Sequence, residues 1–282
     1  MAGRLIVNAD DFGLCEGVNM AVRLAHTEGI LTSATIMAGM GAAAEAVQSA
    51  REMPDLGVGV HLNLTEGTPV SKNRQVEVLL DAGGEFDLSL GKLAVKTVLS
   101  KAFREAVEIE FAAQIQWVID RDIKPTHLDS HKHVHAIPSI YPIVVRLAER
   151  FGIGAVRWPF EPAKVSGPDW PAPPKGGKTR ALIVRTMAGI NRRQNDICIK
   201  NDMFLGTAHT GKINIDFWRQ VVKNPFDGVV ELMTHPGFIE GLDPKRTRLV
   251  EQRQLELEAL CSSQVKKLLV EADIELTHYG KL

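Results

Sequence analysis

The sequence is short of cysteine, has no excess charge of either sign and contains no long apolar run. Each shortage removes a class of protein. Its three cysteines, Cys15, Cys198 and Cys261, are odd in number, far apart and without Cys-x-x-Cys spacing. They read as reduced thiols, not as a disulfide frame. Lysine and arginine total 33 against 34 acids, a formal net charge of −1, so no basic surplus exists to grip nucleic acid phosphates. No stretch of about 18 consecutive apolar residues occurs. The opening "MAGRLIVNADDFG" lacks the apolar core of a secretory signal, which makes the cytoplasm the expected location. Also missing are a Gly-x-Ser-x-Gly elbow, a P-loop and a Gly-x-Gly-x-x-Gly turn, which disfavours serine nucleophiles and nucleotide cofactors.

What is present is ordinary in bulk and unusual in detail. The chain has 282 residues, 45% hydrophobic and 24% charged, enough for one large domain spanning 1–282 with a well-covered core. Short apolar runs read as strands: "RLIVNA", "LTSATIMA", "VGVHLNL", "PTHLDS", "AVRWPF", "NDMFLG" and "GVVELMTH". Helical patterns lie between several of them, at Gly17–Glu28, Ala42–Met53, Ala102–Arg121, Ser139–Phe151, Arg180–Arg192 and Arg246–Glu271. Strand–helix alternation implies right-handed crossovers and a parallel sheet covered on both faces. Some seven such units favour a complete or distorted (β/α) barrel over an open sheet. Two segments break the rhythm, Glu66–Ser100 and the Pro/Gly-rich Glu161–Lys178, and both are long enough to be functional loops over a site.

The positions of the polar residues carry the functional argument. Asn8, Asp10 and Asp11 end the first strand, and His61 and Asn63 end the third. Asp129, His131, His133 and His135 follow the fourth, Arg157 and Trp158 end the fifth, and His235 ends "GVVELMTH". In α/β barrels the carboxyl ends of the strands share one rim, where catalytic groups converge. Five such convergences are hard to obtain by chance.

Two adjacent carboxylates aimed at one point would repel, and one would keep its proton. A divalent metal resolves this by binding one acid while the other accepts a proton; helix capping explains only one of the pair. The three histidines 131, 133 and 135 share a face if the backbone is extended, whereas on a helix only the first and third meet. One of them, with His61 and one aspartate, gives an Asp–His–His set with vacant positions, as catalytic metal sites have. His235, restrained by the proline after it, can protonate a leaving group. Arg157 and Trp158 are candidates for binding an oxyanion or stacking on a sugar face. His26, His209 and His278 read as ordinary hydrogen-bonded histidines.

The segments "LIVNADDFGL", "GILTSATIMAGM", "VGVHLNLTEGTPV", "PTHLDSHKHVH" and "ELMTHPG" together resemble the YdjC-like carbohydrate deacetylases, which include the chitooligosaccharide deacetylases. The match runs from about residue 4 to 240, and "SHKHVH" followed by "AVRWPFEP" looks closest to the branch found with hopanoid biosynthesis genes. The resemblance implies a distorted TIM-like (β/α) barrel related to polysaccharide deacetylases, and one divalent metal, commonly magnesium or zinc, with manganese or cobalt also suited. It implies Asp11, His61 and His131 as ligands, Asp10 as general base and His235 as general acid. Asp129 would orient a ring nitrogen, and Asn63, His133 and His135 would line or support the site. The implied reaction removes N-acetyl groups from an amino sugar, an oligosaccharide or a glycolipid taken from a membrane surface, and the family favours a homodimer. The segments 66–100 and 161–178 depart from the oligosaccharide-cleaving members, leaving the acetylated substrate open. Two other readings stand beside it: a metal-dependent sugar isomerase or epimerase, and a non-catalytic sugar-binding homologue.

Overall fold

The computed structural model describes residues 3–192, 198, 201–244 and 247–282. Among them eight strands alternate with nine helices. The strands are β1 (Arg4–Phe12), β2 (Ser33–Ile36), β3 (Gly57–Leu62), β4 (His127–Ser130), β5 (Ala155–Val156), β6 (Met203–Leu205), β7 (Val229–Thr234) and β8 (Glu275–Thr277). The helices are α1 (Glu16–Thr27), α2 (Ala43–Arg51), α3 (Leu90–Leu99), α4 (Lys101–Ile119), α5 (Tyr141–Phe151), α6 (Gly177–Asn191), α7 (Ile215–Lys223), α8 (Glu251–Cys261) and α9 (Ser263–Glu271). Every residue of β2, β3, β4 and β7 is buried, as a parallel sheet covered on both faces requires.

The strands pair in parallel in the order β5-β4-β3-β2-β1-β7-β6. β8 joins the first half of β1, Arg4–Ile6, on the edge that β2 takes from Asn8 onward. No ladder links the outer strands β5 and β6 among the described residues. The gap is bridged instead by Phe204 N donating to Phe160 O at 3.2 Å and by Asn201, whose side chain accepts from Trp158 N and donates to Trp158 O. The sheet is thus a distorted, incompletely closed (β/α) barrel, of the kind the alternation and the resemblance implied.

Local chemistry explains where the elements stop and where the sequence reading missed. Gly152, at φ 65°, ends α5 in the left-handed conformation that glycine adopts without strain. Ser100 terminates α3 and its hydroxyl accepts from Phe103 N to start α4. This turns part of the expected loop 66–100 into a helix. The run expected as one helix from Arg246 to Glu271 is two, α8 and α9, because Ser262 is extended at φ −67° and ψ 125°; Arg246 itself lies outside the described residues. β8 and α7 are additions to the expected elements.

Candidate active site

The strands bring polar side chains into the barrel interior where branched aliphatics usually pack. Arg157, with no exposed surface, is the hub. Its guanidinium donates to Asp10 through two nitrogens (2.9 and 2.7 Å) and lies 2.7 Å from Asp129 Oδ2 and 2.8 Å from Glu231 Oε1. Tyr279 donates to Glu231 Oε2 at 2.6 Å. Burial pushes the Glu231 pKa up, with Arg157 opposing. Sequence reading offered Arg157 as a group that touches substrate. It is instead sealed inside, because three acids from β1, β4 and β7 need one buried cation.

At its carboxyl end β1 carries one extra residue. Ala9 pairs with Ala34 and Phe12 with Ile36, so three steps on β1 oppose two on β2. Asp11 absorbs the bulge at φ 66°, a region non-glycine residues rarely occupy. A regular strand would send Asp10 and Asp11 to opposite faces; here both line one cavity of about 520 Å³.

Asp11 Oδ1 lies 2.8 Å from His131 Nδ1 and 3.5 Å from His61 Nε2. Each imidazole is held from its other nitrogen by an acid. His61 Nδ1 donates to Asp129 Oδ1 at 2.8 Å, and His131 Nε2 to Glu66 Oε1 at 2.7 Å. Arg253 occupies the remaining oxygen of Asp11, donating to Oδ2 at 2.6 Å. One ligand atom from each of Asp11, His61 and His131 lies within 4.8 Å of the others, and the cluster could hold a metal ion. Two nitrogens and one oxygen suit zinc, cobalt or manganese, and a mostly hydrated magnesium is also admitted. Burial alone would discharge His61, but Asp129 and Asp10 outweigh it and raise its pKa to about 10. Burial would likewise protonate Asp11, yet His131 and Arg253 hold its pKa well below the carboxylate range. The cavity floor therefore favours a cation. Asp10, His61 and Asp129 form a second group with similar spacing, but Arg157 already bridges its two acids.

Asp10 is ionised for the same reason: against burial, Arg157 and His61 pull its pKa far down. Its Oδ1 accepts from Asn8 (2.9 Å) and Arg157, whereas Oδ2 accepts only from Arg157 and lies 3.9 Å from His61 Nε2. A lone pair on Oδ2 remains for a proton. Across the cavity, His235 is neutral, its pKa lowered by burial to about 4 against the pull of Asp11 and Asp10. Its backbone N–H donates to Glu256 Oε2 at 2.6 Å, while Nδ1 is buried with no hydrogen-bond partner.

Of the expected site residues, Asp10, Asp11, His61, His131, His133 and His235 line this cavity. Asp129 sits behind His61. The period-two reading of the histidine run does not hold: His131–Ala136 is a 3-10 turn with Lys132 and His133 left-handed at φ 54° and 55°. His135 turns back to Ser130, whose Oγ lies 2.6 Å from its Nδ1. Asn63 is also off the cavity; it accepts from Thr65 N and donates to Glu66 O, shaping the turn that presents Glu66. Trp158 stacks on Phe160 at 4.8 Å and donates to Ala188 O, and it does not line the cavity. Glu66, Arg253 and Glu256 were missed. For the last two a signal exists: Arg253, Glu256, Leu257 and Leu260 share one buried face of α8, with charge on an apolar stripe. Both irregular segments reach the cavity, through Glu66 and Leu90 and through Pro174 and Lys175.

The family model described as YdjC-like protein matches residues 4–271. A protein of Brevibacillus brevis named carbohydrate deacetylase is 33% identical over 281 residues, covering 99% of each chain. Another of that name, from Halalkalibacterium halodurans, is 34% identical over 257 residues, which is 91% of this chain and 94% of the relative. A crystal structure of an Enterococcus faecalis protein named for cellobiose-phosphate cleavage superimposes with a TM-score of 0.79 at 26% identity, over 100% of this chain and 99% of that one.

Proposed function

From the premise that the chain belongs to the YdjC-like family, we propose that it is a metal-dependent N-deacetylase acting on an acetylated amino sugar. The observation that carries this reading is the juxtaposition of a three-ligand cluster, Asp11, His61 and His131, with a proton acceptor, Asp10, and with His235, in one cavity. Asp11, His61 and His131 would hold a divalent cation, which would supply Lewis-acid polarisation of the acetamide carbonyl and lower the pKa of a water molecule.

The chain's own groups then do the following. Asp10 takes the proton of the attacking water at Oδ2, since Oδ1 is saturated by Asn8 and Arg157. Arg157 keeps Asp10 ionised and fixed in orientation, so the acceptor is ready before the substrate arrives. His235, neutral at rest, carries the proton from Asp10 to the departing amine. Burial makes its charged form a strong acid, so the proton is released readily to the amine. The products are acetate and a free amino sugar. The isomerase alternative needs several carboxylates free to bind the ion, and Asp129 and Glu231 are committed to Arg157. A purely binding homologue needs neither Asp10 nor His235.

The test is acetate release from N-acetylglucosamine, chitobiose and N-acetylglucosaminyl lipids, with Mg²⁺, Zn²⁺, Mn²⁺ or Co²⁺ added and metal content measured. His131→Ala is expected to lose both metal and activity. His235→Ala is expected to retain the metal and lose roughly 10²–10⁴-fold in turnover. Equal metal content in wild type and His131→Ala overturns the ligand assignment, and no acetate from any sugar overturns the reaction.

A further inference from the structure

Two helices beside the cavity carry apolar side chains on their outward faces. α3 buries Leu93 and Thr97, and α6 buries Ala181, Val184 and Ala188. A helix that packs one stripe on a core ordinarily presents polar groups on the opposite side. Here that side carries Val95, Val98 and Leu99 on α3 and Leu182, Ile183 and Ile190 on α6, each half exposed or more. The two helices are neighbours in the fold, since both pack against the 131–136 turn. Thr97 Oγ1 lies 2.6 Å from Ser139 Oγ, just beyond that turn, and Asn191 donates to Ala136 O at 2.7 Å. Leu90, which opens α3, and Val184 of α6 line the cavity itself.

Charge decides what such a surface can meet. The molecule as a whole has a net charge of −1, yet residues 88–104 hold four cations and no acid, and residues 171–192 hold five cations and no acid. The cations edge the apolar rows. Lys92 and Lys96 stand three positions before Val95 and Leu99, and Lys178 and Arg185 flank Leu182 at four before and three after, all on adjoining helical turns. An apolar strip edged by cations complements a bilayer with anionic headgroups: the hydrocarbon boundary takes the branched side chains, and the basic groups reach the phosphates. A second copy of the chain fits poorly, because a two-fold contact sets this surface on itself and brings cation to cation.

We propose that the outward faces of α3 and α6 form a docking surface for anionic phospholipid membranes. No helix among the described residues is long and apolar enough to cross a membrane, so the attachment is peripheral and reversible. Docking holds the cavity that both helices border at the lipid surface. It is independent of the reaction assigned to the cavity floor, and its test needs no turnover.

The full chain is co-sedimented with vesicles of phosphatidylcholine alone and of phosphatidylcholine mixed with phosphatidylglycerol. Binding to the anionic vesicles is expected to be at least tenfold stronger and to weaken steeply as salt is raised. Two multiple variants separate the contributions. Val98→Ser, Leu99→Ser, Leu182→Ser and Ile183→Ser together remove the apolar contacts, and Lys92→Gln, Lys96→Gln and Lys178→Gln together remove charge. Each set is expected to lower binding at least tenfold while leaving circular dichroism and the urea midpoint unchanged, because every position is exposed. Equal binding to neutral and anionic vesicles, no binding to either, or full binding by either variant overturns the docking surface. Sedimentation equilibrium without vesicles tests the other occupant: a wild-type dimer that the serine variant dissociates gives the face to a second copy and overturns the lipid assignment.

Discussion

Replacing Arg157 by methionine should convert the barrel interior from a neutralised network into three crowded acids. Asp10, Asp129 and Glu231 each lie within 2.9 Å of the guanidinium, and none is more than 2% exposed. Removing one partner of a buried ion pair costs about 3–5 kcal/mol, and the loss of three partners puts this site at the upper end. At about 2 °C per kcal/mol for a chain of this size, Tm should fall by roughly 10 °C. The loss should also depend on pH. Without the cation, desolvation and mutual repulsion raise the carboxyl pKa values above those of the unfolded chain. Groups raised in this way stabilise the fold fully below the ordinary carboxyl range and lose that contribution as pH rises through their folded values. Calorimetric or urea unfolding should therefore show a smaller deficit at pH 5 than at pH 8, by about 1.4 kcal/mol for each unit by which one acid is shifted. Arg157→Lys keeps the charge without the fork and should fall between the two. A deficit below about 1 kcal/mol, or one identical at both pH values, would refute the account of Arg157 as an internal counter-ion.

Three further outcomes follow from the same geometry. Asp129→Asn should weaken metal binding about 10–100-fold, since it loosens the anchor on His61 Nδ1; wild-type affinity in a metal titration would remove Asp129 from that role. Burial lifts Glu256 from 4.5 to about 7, so its raised folded pKa makes stability decline between those values by at most about 3 kcal/mol. Glu256→Gln should abolish that slope and gain on the wild type between pH 5 and pH 8, and parallel curves would contradict the assignment. Trp158→Leu should cost about 2 kcal/mol of stability while leaving KM within twofold; a large rise in KM would return Trp158 to the substrate.

The barrel was legible in the sequence because strand–helix alternation and polar strand ends are local patterns, and both survive folding. Asp10, Asp11, His61, His131 and His235 could be selected for the same reason: each sits at the end of an apolar run. What supports them was not legible. Arg157 ends a strand like the others, and nothing local distinguishes a rim residue from a sealed counter-ion. Its role depends on Glu231, 74 positions away. Glu66 hides in a segment of mixed polarity, presented by a turn that Asn63 closes. The histidine run misled through its spacing, since left-handed backbone at Lys132 and His133 breaks both the strand and the helix period.

The extra residue in β1 also bears on how this pair of adjacent acids could arise or be transplanted. Neighbouring side chains on an undistorted strand diverge, so copying "NADDFG" into another barrel would deliver one acid to the mouth and lose the other in the wall. The motif is inseparable from the kink at Asp11, and any graft must carry the strained backbone along with the letters. Relaxing that kink by deleting one residue between Ala9 and Phe12 would restore the pairing with β2 only by removing Asp10 or Asp11 itself.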